Sequence, residues 1–196
     1  MIEYENLGKS NALFFEKYLK SFEDTLNSGS YVLGDNVTKF EQDFSKFINV
    51  RNGIGVANGL DALIIALKAL NLEVGDEVIV PSNTYIASII AIIRAGLIPI
   101  LVEPDIETYN IDPNKIEQSI TKRCKAIMVV HWGGMPVDLD ELAEIQDECE
   151  KLYGHRPPVI EDCAHALGSE YKDKRIGSHG NICAFSFQAI KHLTTV

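Results

Sequence analysis

Apolar residues recur every three to four positions over residues 12–27 and again over residues 36–48, with charged residues between them. This spacing places the apolar side chains on one face of a helix, so the pattern predicts two amphipathic helices. The segment between them contains Gly29 and Gly34 among polar residues, a composition typical of turns. The chain is therefore expected to open with a helical pair.

From residue 53 onward the pattern changes, because short runs rich in β-branched residues alternate with longer helical stretches. The predicted strands are Gly53–Ala57, Glu77–Val80, Ile98–Val102, Ala126–Val130, Val159–Ile160 and Ile182–Phe185. The predicted helices are Leu60–Leu70, Ile86–Arg94, Asn114–Ile120 and Leu139–Tyr153. Such alternation predicts an α/β domain with a mostly parallel sheet covered by helices. Since no repeat or linker is evident, residues 1–196 are expected to form N-terminal helices plus one large domain.

The charge balance narrows the classes of partner. Acidic residues outnumber basic ones 28 to 18, which gives a net charge of -10, and no basic cluster stands out. A nucleic-acid surface or an anionic-membrane surface is therefore disfavoured. Arg94 and Pro99 interrupt the most apolar segment well short of the ~20 residues that a spanning helix needs. We expect neither nucleic acid nor membrane as a partner, although a local phosphate site remains compatible with this charge.

The four cysteines show neither a C-x-x-C pair nor zinc-like spacing, and the first residues given do not resemble the charged and then apolar segments of a signal peptide. We therefore predict a cytoplasmic protein without a metal site. The apolar content of 46% is ample for a packed core.

Lys191 follows a strand-like apolar run near the end of the chain. A lysine that loses water at such a place can shed its proton and attack an aldehyde to form a Schiff base. Ser186, five residues earlier, would lie beside it as a phosphate ligand. The alternative interpretation is a solvated surface lysine, which is the commoner role of this residue.

A second candidate feature is the helix start at Gly59 and Leu60. The first backbone amides of a helix can hold a phosphate, and a glycine lets the ligand approach closely. An ordinary turn capped by Asn58 would look the same. A dinucleotide-binding loop at residues 53–58 is rejected, since the third glycine is missing and Pro81 stands where an acidic residue should follow the next strand.

Polar and aromatic residues follow two more predicted strands. Asp162 ends one of them, at the sheet edge where α/β proteins bind ligands, and a carboxylate there can hold a protonated ring nitrogen. Tyr85 follows another strand and could lay its ring on a planar cofactor. Asp162 could equally cap a turn, Tyr85 could be a rim residue, and His165 could be an ordinary half-buried histidine.

Five segments carry a family resemblance in their order and spacing: Asn58–Leu63, Gly75–Tyr85, Tyr109–Pro113, Glu161–His165 and Ser186–Lys191. Together they resemble the DegT/DnrJ/StrS family of pyridoxal-phosphate-dependent nucleotide-sugar aminotransferases. The resemblance implies the aspartate-aminotransferase-like fold, known as fold type I, and pyridoxal 5'-phosphate as cofactor.

The resemblance also implies a role for each candidate residue. Lys191 would anchor the cofactor and act as the general base, and Asp162 would pair with the pyridine nitrogen. The remaining cofactor-binding residues would be Tyr85 as the stacking ring, Ser186 with the Gly59 and Leu60 amides at the phosphate, and His165 near the phenolic oxygen.

The implied reaction moves an amino group from an amino acid, by resemblance glutamate, to a keto-sugar attached to a nucleotide. Family members continue past the position of Val196 into a second, smaller domain, so we expect an N-terminal portion of a longer enzyme, homodimeric when full length and inactive as the fragment alone. A sugar dehydratase of the same fold is an alternative, but there a histidine replaces the lysine found at Lys191. A non-catalytic binding or regulatory module is the other alternative.

Overall fold

The computed structural model describes residues 6–194, so the expectation that rests on the chain end at Val196 lies outside the described part. The chain divides into two compact units, Met1–Gly55 and Val56–Val196. The candidate site residues all belong to the second unit.

The first unit contains the two predicted amphipathic helices, which are confirmed with small shifts in their bounds. Its elements are α1 (Leu7–Asn11), a 3-10 turn (Ala12–Phe14), α2 (Phe15–Ser28) and α3 (Asp35–Ile48). Helix α2 ends at Gly29 (φ 67°) and α3 at Asn49 (φ 68°), both in the left-handed conformation. Glycine and asparagine adopt that conformation most readily, which explains why the helices end there.

The second unit is built on a sheet of five parallel strands, which are β1 (Glu77–Pro81), β2 (Ile98–Val102), β3 (Cys124–Val130), β4 (Val159–Asp162) and β7 (Ile182–Ala184). Their order across the sheet is β2-β1-β3-β4-β7. Strands β5 (Glu170–Tyr171) and β6 (Lys174–Arg175) form a small antiparallel hairpin with a two-residue turn. The sequence pattern did not predict this hairpin. The predicted parallel sheet is confirmed.

Helices cover both faces of this sheet. They are α4 (Gly59–Ala69), α5 (Ile86–Arg94), α6 (Pro113–Ser119) and α7 (Leu139–Tyr153), and a 3-10 turn follows β3 at Trp132–Gly134. Alternate residues of one strand point to opposite faces, so Val78 packs in the core beneath α4 and α5 while Ile79 packs in the core beneath α6 and α7. No helix in the described part of the chain reaches the length and apolarity that crossing a bilayer requires.

The predicted strand Gly53–Ala57 is wrong, because this segment forms no strand and pairs with no neighbour in the sheet. The amide of Gly55 donates to the Glu41 side chain at 2.7 Å instead of joining a ladder. Glycine is a poor strand former, and two glycines in five residues weaken the β-branched signal of Ile54 and Val56. The absence of this strand also agrees with rejecting a dinucleotide-binding loop here.

A fully buried hydrogen-bonded pair joins the ends of two neighbouring strands. His131, directly after β3, lies 2.9 Å from Glu161 of β4, measured from Nε2 to Oε2, and both side chains are 0% exposed. His131 Nδ1 accepts a hydrogen bond from the Val137 amide at 3.1 Å, so in the neutral ring the proton lies on Nε2 and points to Glu161. The other carboxylate oxygen of Glu161 accepts from the Asn181 amide at 2.7 Å. Each polar atom of the pair therefore has a partner.

The same contacts set the ionisation of Glu161. Burial raises its pKa, but the interaction with His131 and the Asn181 hydrogen bond outweigh burial and hold the pKa below its ordinary value of 4.5. A lowered carboxyl pKa stabilises the fold above the pKa of the unfolded chain. That contribution is lost as the pH falls through the folded-state pKa.

Truncating the central strand should test the packing of the sheet. Ile127→Ala removes a fully buried side chain from β3 and should lower the free energy of unfolding by about 2–5 kcal/mol. Ile106→Ala makes the same change at a side chain that is 80% exposed, and should change it by less than ~0.5 kcal/mol. Urea unfolding followed by circular dichroism measures both, and equal losses would contradict this packing.

The Glu161 pair predicts a pH dependence of stability. The contribution of Glu161 to the free energy of unfolding should be fully present above about pH 4.5 and should decline as the pH falls further, since the unfolded chain takes up the proton first. Glu161→Gln removes the charge, so it should cost about 2 kcal/mol at pH 7 and flatten the decline below pH 4.5. Glu170→Gln, at an exposed position, is the control. Urea unfolding at several pH values measures the free energy of unfolding, and a value for Glu161→Gln that falls with pH as steeply as that of the wild type would refute the assignment.

Candidate active site

The carboxyl ends of the parallel strands meet at one edge of the sheet. Strand β1 ends at Pro81, β4 at Asp162 and β7 at Ala184, and the register pairs Asp162 with Ala184 directly. The segments that follow these strands, with the predicted site residues in them, therefore begin at the same edge, where open α/β sheets bind ligands.

Asp162 is the last residue of β4, as predicted, and is only 8% exposed. Its Oδ1 accepts a hydrogen bond from the Ala164 amide at 3.1 Å, and its Oδ2 accepts one from the Ser88 hydroxyl at 2.9 Å. Two donors suit an ionised carboxylate, which accepts on both oxygens. The arrangement leaves further acceptor positions on the same oxygens for a ligand donor.

The predicted phosphate residues lie together. Helix α4 begins at Gly59, and a Cβ built on Gly59 would lie 3.3 Å from Ser186 Cβ and 3.7 Å from the Phe185 carbonyl oxygen. A side chain at Gly59 would therefore crowd Ser186. Asn58 caps the helix by accepting from the Asp61 amide at 2.9 Å, while the amides of Gly59 and Leu60 start the helix and have no carbonyl partner within it. Two amides and one hydroxyl thus come together at the positive end of a helix.

His165 contributes a ring with an available nitrogen. Its Nδ1 is buried and has no hydrogen-bond partner among the described residues, a rare condition for a buried polar atom. Burial lowers the pKa of the imidazole, and the positive charges of Lys191 and His192 lower it further against the opposing effect of Asp162. The ring is therefore biased toward its neutral form and lies within electrostatic reach of both Lys191 and Asp162.

Lys191 lies in the turn that follows β7. Its backbone amide donates to the Gln188 carbonyl at 2.8 Å, and its side chain is partly buried. Tyr85 precedes α5 and is 75% exposed, so the described residues cover only a small part of it. The structure thus places a lysine, a histidine and a carboxylate in one neighbourhood, while stacking by Tyr85 stays a prediction.

Two further features of this edge escaped the sequence analysis. Ser88 binds Asp162 across 74 residues of sequence, and His131 binds Glu161, the residue directly before Asp162 in β4. The ligand atoms of His131, Glu161 and Cys163 lie within 4.8 Å of one another, a spacing that a metal ion could use. Both ring nitrogens and both carboxylate oxygens already bind protein groups, so these residues act as a packed core here. The signal that was available is the chain order: His131 directly follows a strand, as Asp162 ends one.

Comparison with known proteins agrees with this geometry. Residues 15–196 match the DegT/DnrJ/EryC1/StrS aminotransferase family. The chain is 49% identical over 187 residues to the dTDP-3-amino-3,6-dideoxy-alpha-D-galactopyranose transaminase of Aneurinibacillus thermoaerophilus, covering 95% of this chain and 50% of that protein. It is 45% identical over 162 residues to the GDP-perosamine synthase of Escherichia coli O157:H7, covering 83% of this chain and 43% of that protein.

The fold comparison leads to the same family. The crystal structure of S. venezuelae DesV in complex with a ketimine intermediate matches with a TM-score of 0.91 at 36% identity, covering 98% of this chain and 50% of DesV. The fold is thus that of the large domain of fold type I aminotransferases. The chain spans about half the length of the relatives it matches. It belongs to the DegT/DnrJ/EryC1/StrS aminotransferase family.

Proposed function

We propose that the full-length protein uses pyridoxal 5'-phosphate to transfer an amino group from an amino acid to a keto-sugar attached to a nucleotide. The observation that carries this proposal is the placement of Asp162, buried and accepting two hydrogen bonds, at the sheet edge shared with Lys191. The names of the relatives, a dTDP-sugar transaminase and a GDP-sugar synthase, supply the substrate class.

The residues of this edge fit the proposed cofactor. The helix start at Gly59 and the hydroxyl of Ser186 offer donors to a phosphate, with no side chain at Gly59 to obstruct it. Asp162 offers an anionic acceptor to a ring N–H, and the unpartnered Nδ1 of His165 offers a further polar contact. These groups differ in charge and donor type in the way that the two ends of a phosphorylated pyridine require.

Each residue then has a distinct task. When bound, pyridoxal phosphate supplies an aldehyde carbon and an electron-accepting ring. Lys191 would hold the cofactor through that carbon, and its amine, once the amino donor has taken its place, would move a proton between donor and cofactor carbons as a general base. Asp162 would hold the ring nitrogen in its protonated form, which would strengthen the ring as an electron acceptor.

Several finer points remain predictions within this proposal. The relatives act on sugars carrying different nucleotides, so we leave the nucleotide, the sugar and its keto carbon open and take glutamate as the expected donor. A cytoplasmic homodimer remains our expectation for the full-length protein, with stacking by Tyr85 on the cofactor ring. A dehydratase is disfavoured because the position expected to carry histidine in that variant is Lys191.

Lys191→Ala in the full-length protein should abolish cofactor attachment and nearly all amino transfer while leaving the fold intact, because Lys191 lies in a turn outside the core. Lys174→Ala, at an exposed position, should leave both unchanged. The decisive measurement is borohydride reduction of the loaded protein followed by peptide mapping. A label on Lys172 or Lys174 instead of Lys191 would overturn the assignment.

Asp162→Asn should retain cofactor binding but slow the amino-acid half-reaction. A neutral amide holds the protonated ring nitrogen less well, and losing this contact in a desolvated site should cost about 2–4 kcal/mol at the transition state, or roughly a hundredfold in rate. Asp173→Asn changes the same group at an exposed position and serves as the control. Stopped-flow absorbance gives the rates, and an unchanged rate would mean that Asp162 only caps its turn.

A further inference from the structure

Ser88 is a buried hydroxyl in an apolar helix. It is 0% exposed on α5, whose sequence is otherwise almost entirely isoleucine and alanine. A serine inside a helix commonly donates to the carbonyl four residues earlier. Ser88 instead makes side-chain contacts, at 2.9 Å to Asp162 Oδ2 and at 2.8 Å to the Thr84 hydroxyl. Its polar group is therefore committed to a contact outside its own helix.

The donor in each contact follows from the acceptor. An ionised carboxylate only accepts, so the single proton of Ser88 points to Asp162. The Ser88 oxygen then accepts from Thr84, whose single hydroxyl proton takes the 2.8 Å contact with Ser88 in preference to the longer, 3.3 Å contact with the Tyr85 carbonyl. The result is a directed chain of hydrogen bonds from Thr84 through Ser88 to the carboxylate.

Two hydrogen bonds, one to each oxygen, fix the orientation of the Asp162 carboxylate. The Ala164 amide lies on Oδ1 and comes from the turn after β4, whereas Ser88 lies on Oδ2 and comes from α5. Two donors from separate elements define the plane of the carboxylate, and losing one would free its rotation. Tyr85 is the residue directly before α5, so one short segment sets the positions of both Tyr85 and the hydroxyl that supports Asp162.

We propose that Ser88 is a positioning residue, oriented by Thr84, that acts on the reaction through Asp162 by holding its carboxylate toward the ring nitrogen of the cofactor. This inference rests on the proposed function. It assigns Ser88 no contact with substrate or cofactor.

A double-mutant cycle in the full-length protein tests the proposal. Ser88→Ala should slow the amino-acid half-reaction roughly tenfold, since it removes a hydrogen bond to a charged group. In the Asp162→Asn background the same substitution should change the rate less than about twofold, because the group through which Ser88 acts has already been altered. Equal effects of Ser88→Ala in both backgrounds would overturn the proposal.

A spectroscopic readout separates positioning from general loss of structure. With ¹⁵N-labelled pyridoxal phosphate bound, Ser88→Ala should move the ring-nitrogen resonance toward that of the unprotonated nitrogen, and Thr84→Val should move it in the same direction by less. Ser45→Ala is the matched control, because Ser45 is also buried but donates to the Glu41 carbonyl at 2.5 Å in the first unit. A Ser88→Ala resonance identical to wild type would refute the proposal.

The two variants also separate failure of this inference from failure of the proposed function. If Asp162→Asn leaves both the rate and the resonance unchanged, the role of Asp162 itself is wrong, and with it the proposed function. If Asp162→Asn has its expected effect but Ser88→Ala has none, only the positioning role of Ser88 fails. Thr84→Val keeps the test decisive should Ser88→Ala prove unstable.

Discussion

Parallel pairing of β4 with β3 on one side and β7 on the other is the constraint on which the site depends. It brings Asp162 level with Val130 and Ala184, so the segments after all three strands leave from one edge. It also buries two consecutive carboxylates, Glu161 and Asp162, which would be costly without partners. The alternation of side chains along a strand sends them to different partners, Glu161 to His131 and Asp162 to the first turn of α5.

The two neighbouring carboxylates, Glu161 and Asp162, differ in how far the protein itself occupies their hydrogen-bond acceptors. Glu161 has partners on both oxygens and stays within the core, where it links the ends of β3 and β4. Asp162 has one donor on each oxygen and lies at the rim, so it can still accept from a ligand. An anionic cofactor at this rim is compatible with the net charge of -10, because helix-start amides and a nearby lysine act locally.

Where the sequence pattern was strong and local, it predicted the structure well. The bounds of α7 agree with prediction because Asp138 caps its start and Gly154 ends it, and those of β2 agree because a polar residue, Glu103, follows its five apolar residues. The hairpin at β5 and β6 was missed, since its turn residues Lys172 and Asp173 adopt positive φ without the usual glycine, and Lys172 is held by an ion pair with Asp140. The site followed from residues at strand ends, whereas Ser88 could not be found because its partner lies 74 residues away.

The central claim is that one edge of this sheet holds pyridoxal phosphate between Asp162 and Lys191. A crystal structure of the full-length protein loaded with the cofactor tests it most directly. The account predicts the ring nitrogen at Asp162, the phosphate at the Gly59 and Leu60 amides and Ser186, and a covalent bond to Lys191. A phosphate bound elsewhere, or a ring nitrogen facing a group other than Asp162, would contradict the account.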